Sequence, residues 1–264
     1  MNHYIKVEFI KIKRTNILKL VWLIPAICFI LGVGFNGLSG NMDLASITAL
    51  NHWGLIWLPM GTVLFAGLVH KQEMKSTGYK QIYGLPLDLS KVWTAKSIVI
   101  ASLLLIASGV LGSLICLLDL IISGSQFSLN TSLHYLAALL INWLAILWKI
   151  PFYLYLSQKV NYSSLIILSL ILGLNGADMA TKSYWWTIPW AWILRFQAPI
   201  LGIHPNGIPL TDIPANILEN IPADISEQLL SYSGFSLAIS LAIILFIIVI
   251  SLTTRAFTTR KDAA

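Results

Sequence analysis

Charge is scarce in this sequence. Asp, Glu, Lys and Arg make up 11 % of its 264 residues, where a water-soluble chain carries about 25 %. Hydrophobic residues fill 57 % of it, and the mean hydropathy is +0.78. The missing charge leaves apolar blocks as long as the ~20 residues a helix needs to cross a bilayer. A soluble domain is excluded, and a polytopic membrane protein is implied.

Strict alternation of apolar and polar residues is also missing. Runs such as SLAISLAIILFIIVISL do not alternate, which argues against a membrane β-barrel and leaves helices as the spanning elements. Cysteine is nearly absent. Cys28 and Cys116 both fall inside apolar runs, where a cysteine behaves as a small hydrophobe, so neither a disulfide nor a metal site is assigned.

Catalytic signatures are lacking as well. There is no HExxH, no Cys–His cluster at metal-ligand spacing and no GxSxG elbow. GADMATKS at 176–183 resembles a phosphate loop, but Thr181 stands where the second glycine is required. No ATP hydrolysis, cofactor or metal is expected of this chain by itself. Ionisable groups within the spans are few: Asp119 and Asp178 near one end, Lys149 near the other, where it is expected to snorkel to the surface. Asn142 is the most central polar side chain and is expected to tie helices together.

What is present is six apolar blocks, expected as spans at about 17–35, 52–69, 92–122, 133–156, 162–178 and 233–253. Together they are expected to form one transmembrane domain over residues 1–264. The first block has spanning length, so it is expected to be a retained helix and not a cleaved signal. With the N-terminus inside, Lys6, Lys11, Lys13, Arg14 and Lys19 lie on that side with Lys71, Lys75, Lys80, Lys91 and Lys96. Lys149, Lys159, Arg255, Arg260 and Lys261 join them, which leaves Lys182 and Arg195 outside. The positive-inside rule therefore places both termini in the cytoplasm. The net charge of +6 belongs to that inner face, beside anionic lipid, and implies no nucleic acid.

Three polar segments remain. The start, NHYIKVEFIKIKRTN, sets Ile5, Phe9 and Ile12 at helical spacing, although Ile5, Val7 and Phe9 also alternate. An amphipathic helix in the inner interface is expected, with a strand not excluded. The stretch at 70–96, HKQEMKSTGYKQIYGLPLDLSKVWTAK, is longer than a plain helix–helix turn needs. Tyr79, Ile82, Tyr83 and Leu85 in it stand exposed unless something covers them, which implies a partner or lipid surface.

The third segment, 180–232, holds six of the ten prolines and, in YWWTIPWAWILRF, four of the ten tryptophans: Trp185, Trp186, Trp190 and Trp192. TIPWAWILRFQAPIL is too interrupted to span and is expected to be a re-entrant or surface-lying helix. In the following segment, PADISEQLLSYSGF, Ile225 and Leu229 fall on one helix face. Asp43, Asp119, Asp178, Asp212, Glu219, Asp224 and Glu227 make this outer side acidic. An acidic, aromatic face suits a cationic amphipathic ligand, while acids outside are also what positive-inside sorting leaves by default.

The amphipathic start, six spans, the insert between spans two and three and the re-entrant element before span six resemble type-2 ATP-binding-cassette exporter permeases. Glu73, Gly78, Gly84, Leu85, Pro86, Ala95 and Lys96 carry the resemblance. Size and the tryptophan-rich segment are most similar to lantibiotic-immunity permeases of Gram-positive bacteria. The resemblance implies an all-α bacterial cytoplasmic-membrane protein, paired with a second permease, identical or related. A separate ATPase dimer would bind ATP and Mg. It implies that Glu73, Lys75, Gly78, Tyr79, Ile82 and Tyr83 form a coupling helix against that ATPase. The implied cargo is a cationic antimicrobial peptide, met by Trp185, Trp186, Trp190 and Trp192. A non-transporting sensor or scaffold subunit, or an exporter of another hydrophobic substrate, is the alternative.

Overall fold

The computed structural model describes residues 1–13, 15–76, 78–124, 127–210 and 223–259. Arg14, Arg260 and Lys261 of the expected basic face lie outside the described residues, as do Asp212 and Glu219 of the expected acidic face. So do the side chains of Asp224 and Ile225.

The described residues are mostly helical, with no strand beyond one isolated bridge between Ile203 and Pro209. Six stretches are long and apolar enough to cross a membrane: Ile17–Ser39, Met42–Ser76, Leu89–Ser123, Leu129–Ile146, Tyr162–Met179 and Phe235–Thr258. The chain is an all-α, multi-pass membrane protein. In order, α1 is Asn2–Lys13, α2 Ile17–Ser39, α3 Ala45–His52, α4 Leu58–Ser76, α5 Lys80–Gly84 and α6 Leu89–Ser123. Then come α7 Leu129–Ile146, α8 Lys149–Leu156, α9 Tyr162–Met179, α10 Trp192–Leu201, α11 Ala223–Leu230 and α12 Phe235–Thr258.

Proline explains the two irregular spans. Pro59 has no N–H for the carbonyl of Leu55, and the turn before it, Trp53–Trp57, widens to a π-helix that joins α3 to α4. Pro151 likewise offers nothing to the carbonyl of Leu147, and there the fourth span breaks into α7 and α8. The joined helix Met42–Ser76 is the most enclosed of the six, while α12 buries little of itself. Ile243, Ile244, Ile247 and Leu252 of α12 point outward, which is stable only against lipid or another apolar surface.

Local chemistry sets the ends. Asp88 caps α6 by accepting from the backbone N–H groups of Ser90 and Lys91. The Lys91 ammonium at 2.9 Å, then Ser90, hold the Asp88 carboxyl well below the usual carboxylate range, so the cap stays ionised. Gly40 closes α2 in the left-handed conformation that a helix C-terminus favours.

The start of the chain is a helix, so the strand alternative falls. Of the expected Ile5–Phe9–Ile12 stripe, Ile5 and Ile12 pack inward, but Glu8 is buried beside them and Phe9 is exposed with Val7 and Ile10. The helix turns a charge inward because the bundle supplies partners for it. The long segment at 70–96 is also more compact than expected. The second span runs on to Ser76, and the insert proper reduces to a corner at Gly78 and Tyr79 followed by the single turn α5. Finally, α10 is not surface-lying: every residue from Trp192 to Ala198 is buried, packed against α7.

Candidate functional site

The insert rests on four charges. Lys96, near the start of α6, places its Nζ 2.6 Å from Glu8 Oε2 and 2.5 Å from Glu73 Oε1. Lys11 Nζ lies 2.8 Å from Glu8 Oε1 and 2.7 Å from Glu73 Oε1. The Lys96 side chain has 0 % exposure and both carboxylates 7 %, so this is a closed ring of alternating charge spanning α1, α4 and α6. Ions out of water are tolerated only when each is paired, and here each cation meets two carboxylates. Burial alone would lower the Lys11 pKa, but Glu8 and Glu73 outweigh it and hold the ammonium above its ordinary value. The Gln72 side-chain amide donates to the Lys11 carbonyl. The Asp88 N–H donates to the Tyr4 hydroxyl at 3.4 Å. The N-terminal helix is thereby fastened to both sides of the insert.

An aromatic cluster fastens the insert to the last helix. Tyr79 is the one non-glycine residue with positive φ among the described residues, at 69°, a conformation that is strained for a bulky side chain. Its ring stacks on His70 and Tyr83, with centroids 5.7 and 6.0 Å apart. Its hydroxyl lies 3.0 Å from His70 Nδ1. Phe257 of α12 packs 5.9 Å from Tyr79, 5.6 Å from Tyr83 and 4.8 Å from Trp93. The Trp93 indole N–H donates to the Thr253 hydroxyl at 3.0 Å.

The six expected coupling residues therefore divide. Glu73, Tyr79 and Ile82 are buried, and Tyr83 is half-buried. Tyr79 and Ile82 were expected to stand open unless something covered them, and the chain itself covers its tyrosines with Phe257. The outward face is made by Met74, Lys75, Gly78, Lys80, Gln81 and Leu85. This face carries two lysines and two large apolar side chains, a mixed surface suited to a protein partner. Sequence reasoning singled out Glu73 and Lys96 but missed their pairing and the part of Glu8 and Lys11 in it. The signal was Glu8, a lone acid in a lysine-rich helix.

The expected aromatic site divides in the same way. Trp185 and Trp192 are each 2 % exposed, while Trp186 and Trp190 are half-buried. Trp185 packs edge-on against Phe196 and Phe235 at 5.8 Å. The Arg195 guanidinium sits 5.0 Å over the Trp185 ring. Arg195 donates to the carbonyls of Gln228, Leu229 and Ser231, and so closes the end of α11 onto α10. The Trp192 indole donates to the Trp186 carbonyl at 2.9 Å. Trp190 reaches Trp148, 5.3 Å away edge-on. The Lys149 ammonium lies 5.7 and 6.0 Å from those two rings. Lys149 is 1 % exposed, so it does not snorkel but is covered by the two indoles. These tryptophans form one body with α10 and do not make an open outer row.

Between the two regions runs a buried polar relay. The Gln197 amide donates to Asn51 Oδ1 at 3.0 Å, and its own carbonyl accepts from the Asn142 amide at 2.7 Å. Asn142 ties helices, as its central position implies. Gly54 lies so close that a Cβ there would stand 2.8 Å from the Gln197 carbonyl.

A family model described as ABC-2 family transporter protein matches residues 4–176, which takes in α1, the insert and the first five spanning stretches. No curated protein matches the chain, and no solved structure does.

Proposed function

The chain belongs to the ABC-2 family of transporter proteins, as the permease component of an ATP-binding-cassette exporter, and on that premise we propose a specific cargo, orientation and docking surface. The observation that carries the proposal is the charge ring of Glu8, Lys11, Glu73 and Lys96 beneath the insert. It makes α1, the insert and the second and third spans one rigid unit, so a push on α5 moves two spans together. A separate ATPase dimer docks on Met74, Lys75, Lys80, Gln81 and Leu85 and binds the ATP and Mg. Tyr79, Ile82 and Tyr83 act behind that face, passing the displacement to Phe257 and α12. The lysine-rich end is cytoplasmic, and the whole chain serves as one permease domain that pairs with an identical or related chain.

The cargo in this reading is a cationic amphipathic peptide of the lantibiotic type, expelled from the membrane to protect the cell. Its support is the acidic opposite end and the resemblance of the tryptophan-rich segment. Co-expression with a candidate ATP-binding-cassette ATPase from the same genome, followed by purification, tests the assembly. Copurifying ATPase whose turnover rises with lantibiotics, and resistance of the host cell to them, are the expected results. An ATPase that copurifies but answers a different hydrophobic compound would replace the cargo and keep the exporter. Peptide binding with no copurifying ATPase would favour a sensor or scaffold subunit.

A further inference from the structure

At the end of the bundle opposite the insert lies a polar pocket of about 170 Å³ that neither the ring nor the relay uses. Asp43 enters it from the turn Met42–Leu44, Asp119 from the end of α6, and Ser128, Thr131 and Tyr135 from the start of α7. Asp119 Oδ1 accepts from the Ser46 hydroxyl at 2.5 Å, which aims the carboxylate and leaves its second oxygen to the pocket. Among the described residues neither Asp43 nor Asp119 pairs with a cation. Tyr135 is 8 % exposed, and among the described residues its hydroxyl has no hydrogen-bond partner. The ring of Tyr135 is enclosed while its unpartnered hydroxyl opens into the pocket beside two unpaired carboxylates, a set of acceptors that suits a donor.

The donor set selects the ligand. Asp43, Asp119 and Tyr135 offer acceptors from three separate elements, and a primary ammonium carries three N–H donors and no acceptor. Among the described residues no three metal-ligating His, Cys, Asp or Glu side chains gather here, so calcium enters the test as a control and not as the expected ligand. The last turn of α6 has no basic residue, and the negative end of its dipole favours a cation there. Phe127 and Ile122 add apolar surface at the margin for an alkyl stem.

We propose that this pocket binds a primary ammonium group on an alkyl stem, such as a lysine side chain of a peptide or the headgroup of an ethanolamine lipid. The proposal does not rest on the exporter reading, because binding is measured on the purified chain with no ATPase present.

The test titrates the detergent-purified full chain with hexylammonium and follows its thermal midpoint. Hexanol, tetramethylammonium and calcium serve as controls. Saturable stabilisation by hexylammonium is expected, with none from hexanol and a weaker response to tetramethylammonium, which has no N–H. Asp119→Asn should weaken binding about tenfold, the loss of one charge-assisted hydrogen bond. Should that variant fold poorly for want of the Ser46 contact, exposed Asp43→Asn and the isosteric Tyr135→Phe carry the test. Competition by lysophosphatidylethanolamine and not by its choline analogue would assign a lipid headgroup. Competition by a lysine-rich peptide would assign a peptide, and competition by neither would leave a free alkylamine as the ligand. Undiminished binding in an Asp43→Asn/Asp119→Asn double variant would overturn the proposal. So would equal binding of hexanol or tetramethylammonium, or calcium binding tighter than the amine.

Discussion

Lys96 meets Glu73 at 2.5 Å where the lysine side chain has no exposure to solvent. The contact joins the last turn of one spanning helix to the second turn of the next, across the insert. Removing one member of such a pair leaves its partner charged and buried, which costs about 3–5 kcal/mol. Lys96→Met should therefore lower the thermal midpoint and the yield of folded protein sharply. Adding Glu73→Gln and Glu8→Gln to it should recover part of the loss. Melting in detergent checks this; a Lys96→Met variant as stable as the triple variant would show that the ring contributes little.

The docking face makes a different demand. Lys75 and Leu85 are exposed and make no described contact that the fold needs. Lys75→Glu and Leu85→Ala should leave the stability within about 0.5 kcal/mol of the parent and reduce recovery of the ATPase partner. Glu73→Lys, by contrast, should fail at folding before assembly is reached. Normal ATPase recovery in both surface variants would move the docking face elsewhere.

For the tryptophans, burial ranks the outcomes. Trp185→Ala and Trp192→Ala each empty a packed site and should cost about 3–5 kcal/mol. Tyr184→Ala, at an exposed position, should be silent. Membrane abundance and melting, measured before any resistance assay, decide whether a loss of resistance reports on cargo or on the amount of folded protein.

Glycine contacts give the sharpest steric test. A Cβ on Gly176 would stand 2.5 Å from the Trp190 carbonyl oxygen, and one on Gly67 2.4 Å from the Tyr162 Cβ. Gly176→Ala and Gly67→Ala should each cost about 1–3 kcal/mol through forced separation of packed elements. Gly34→Ala, where nothing lies within 4 Å, should be neutral. Parallel thermal unfolding of the three variants measures the difference.

The sequence alone determined that this protein crosses a membrane six times as helices, because backbone polar groups in hydrocarbon leave few other solutions. It also marked Glu73, Gly78 and Lys96 in the insert, while the interruptions of spans two and four at Pro59 and Pro151 emerge only in the fold. It left open what those residues face. The interfacial stripe of α1 was expected from hydrophobic spacing, yet the helix docks through Glu8, because Lys96 brings a cation from 88 positions away. Tyr79 and Ile82 were expected to be open unless something covered them, and Phe257, from the far end of the chain, covers Tyr79. Trp190 is placed at the outer rim by its neighbours in sequence, and the fold carries it inward to Trp148. Local pattern fixes which segments enter the bilayer, since that depends on the transfer of each segment by itself. Pairing between distant side chains depends on which helices pack together, and only the tertiary structure decides that.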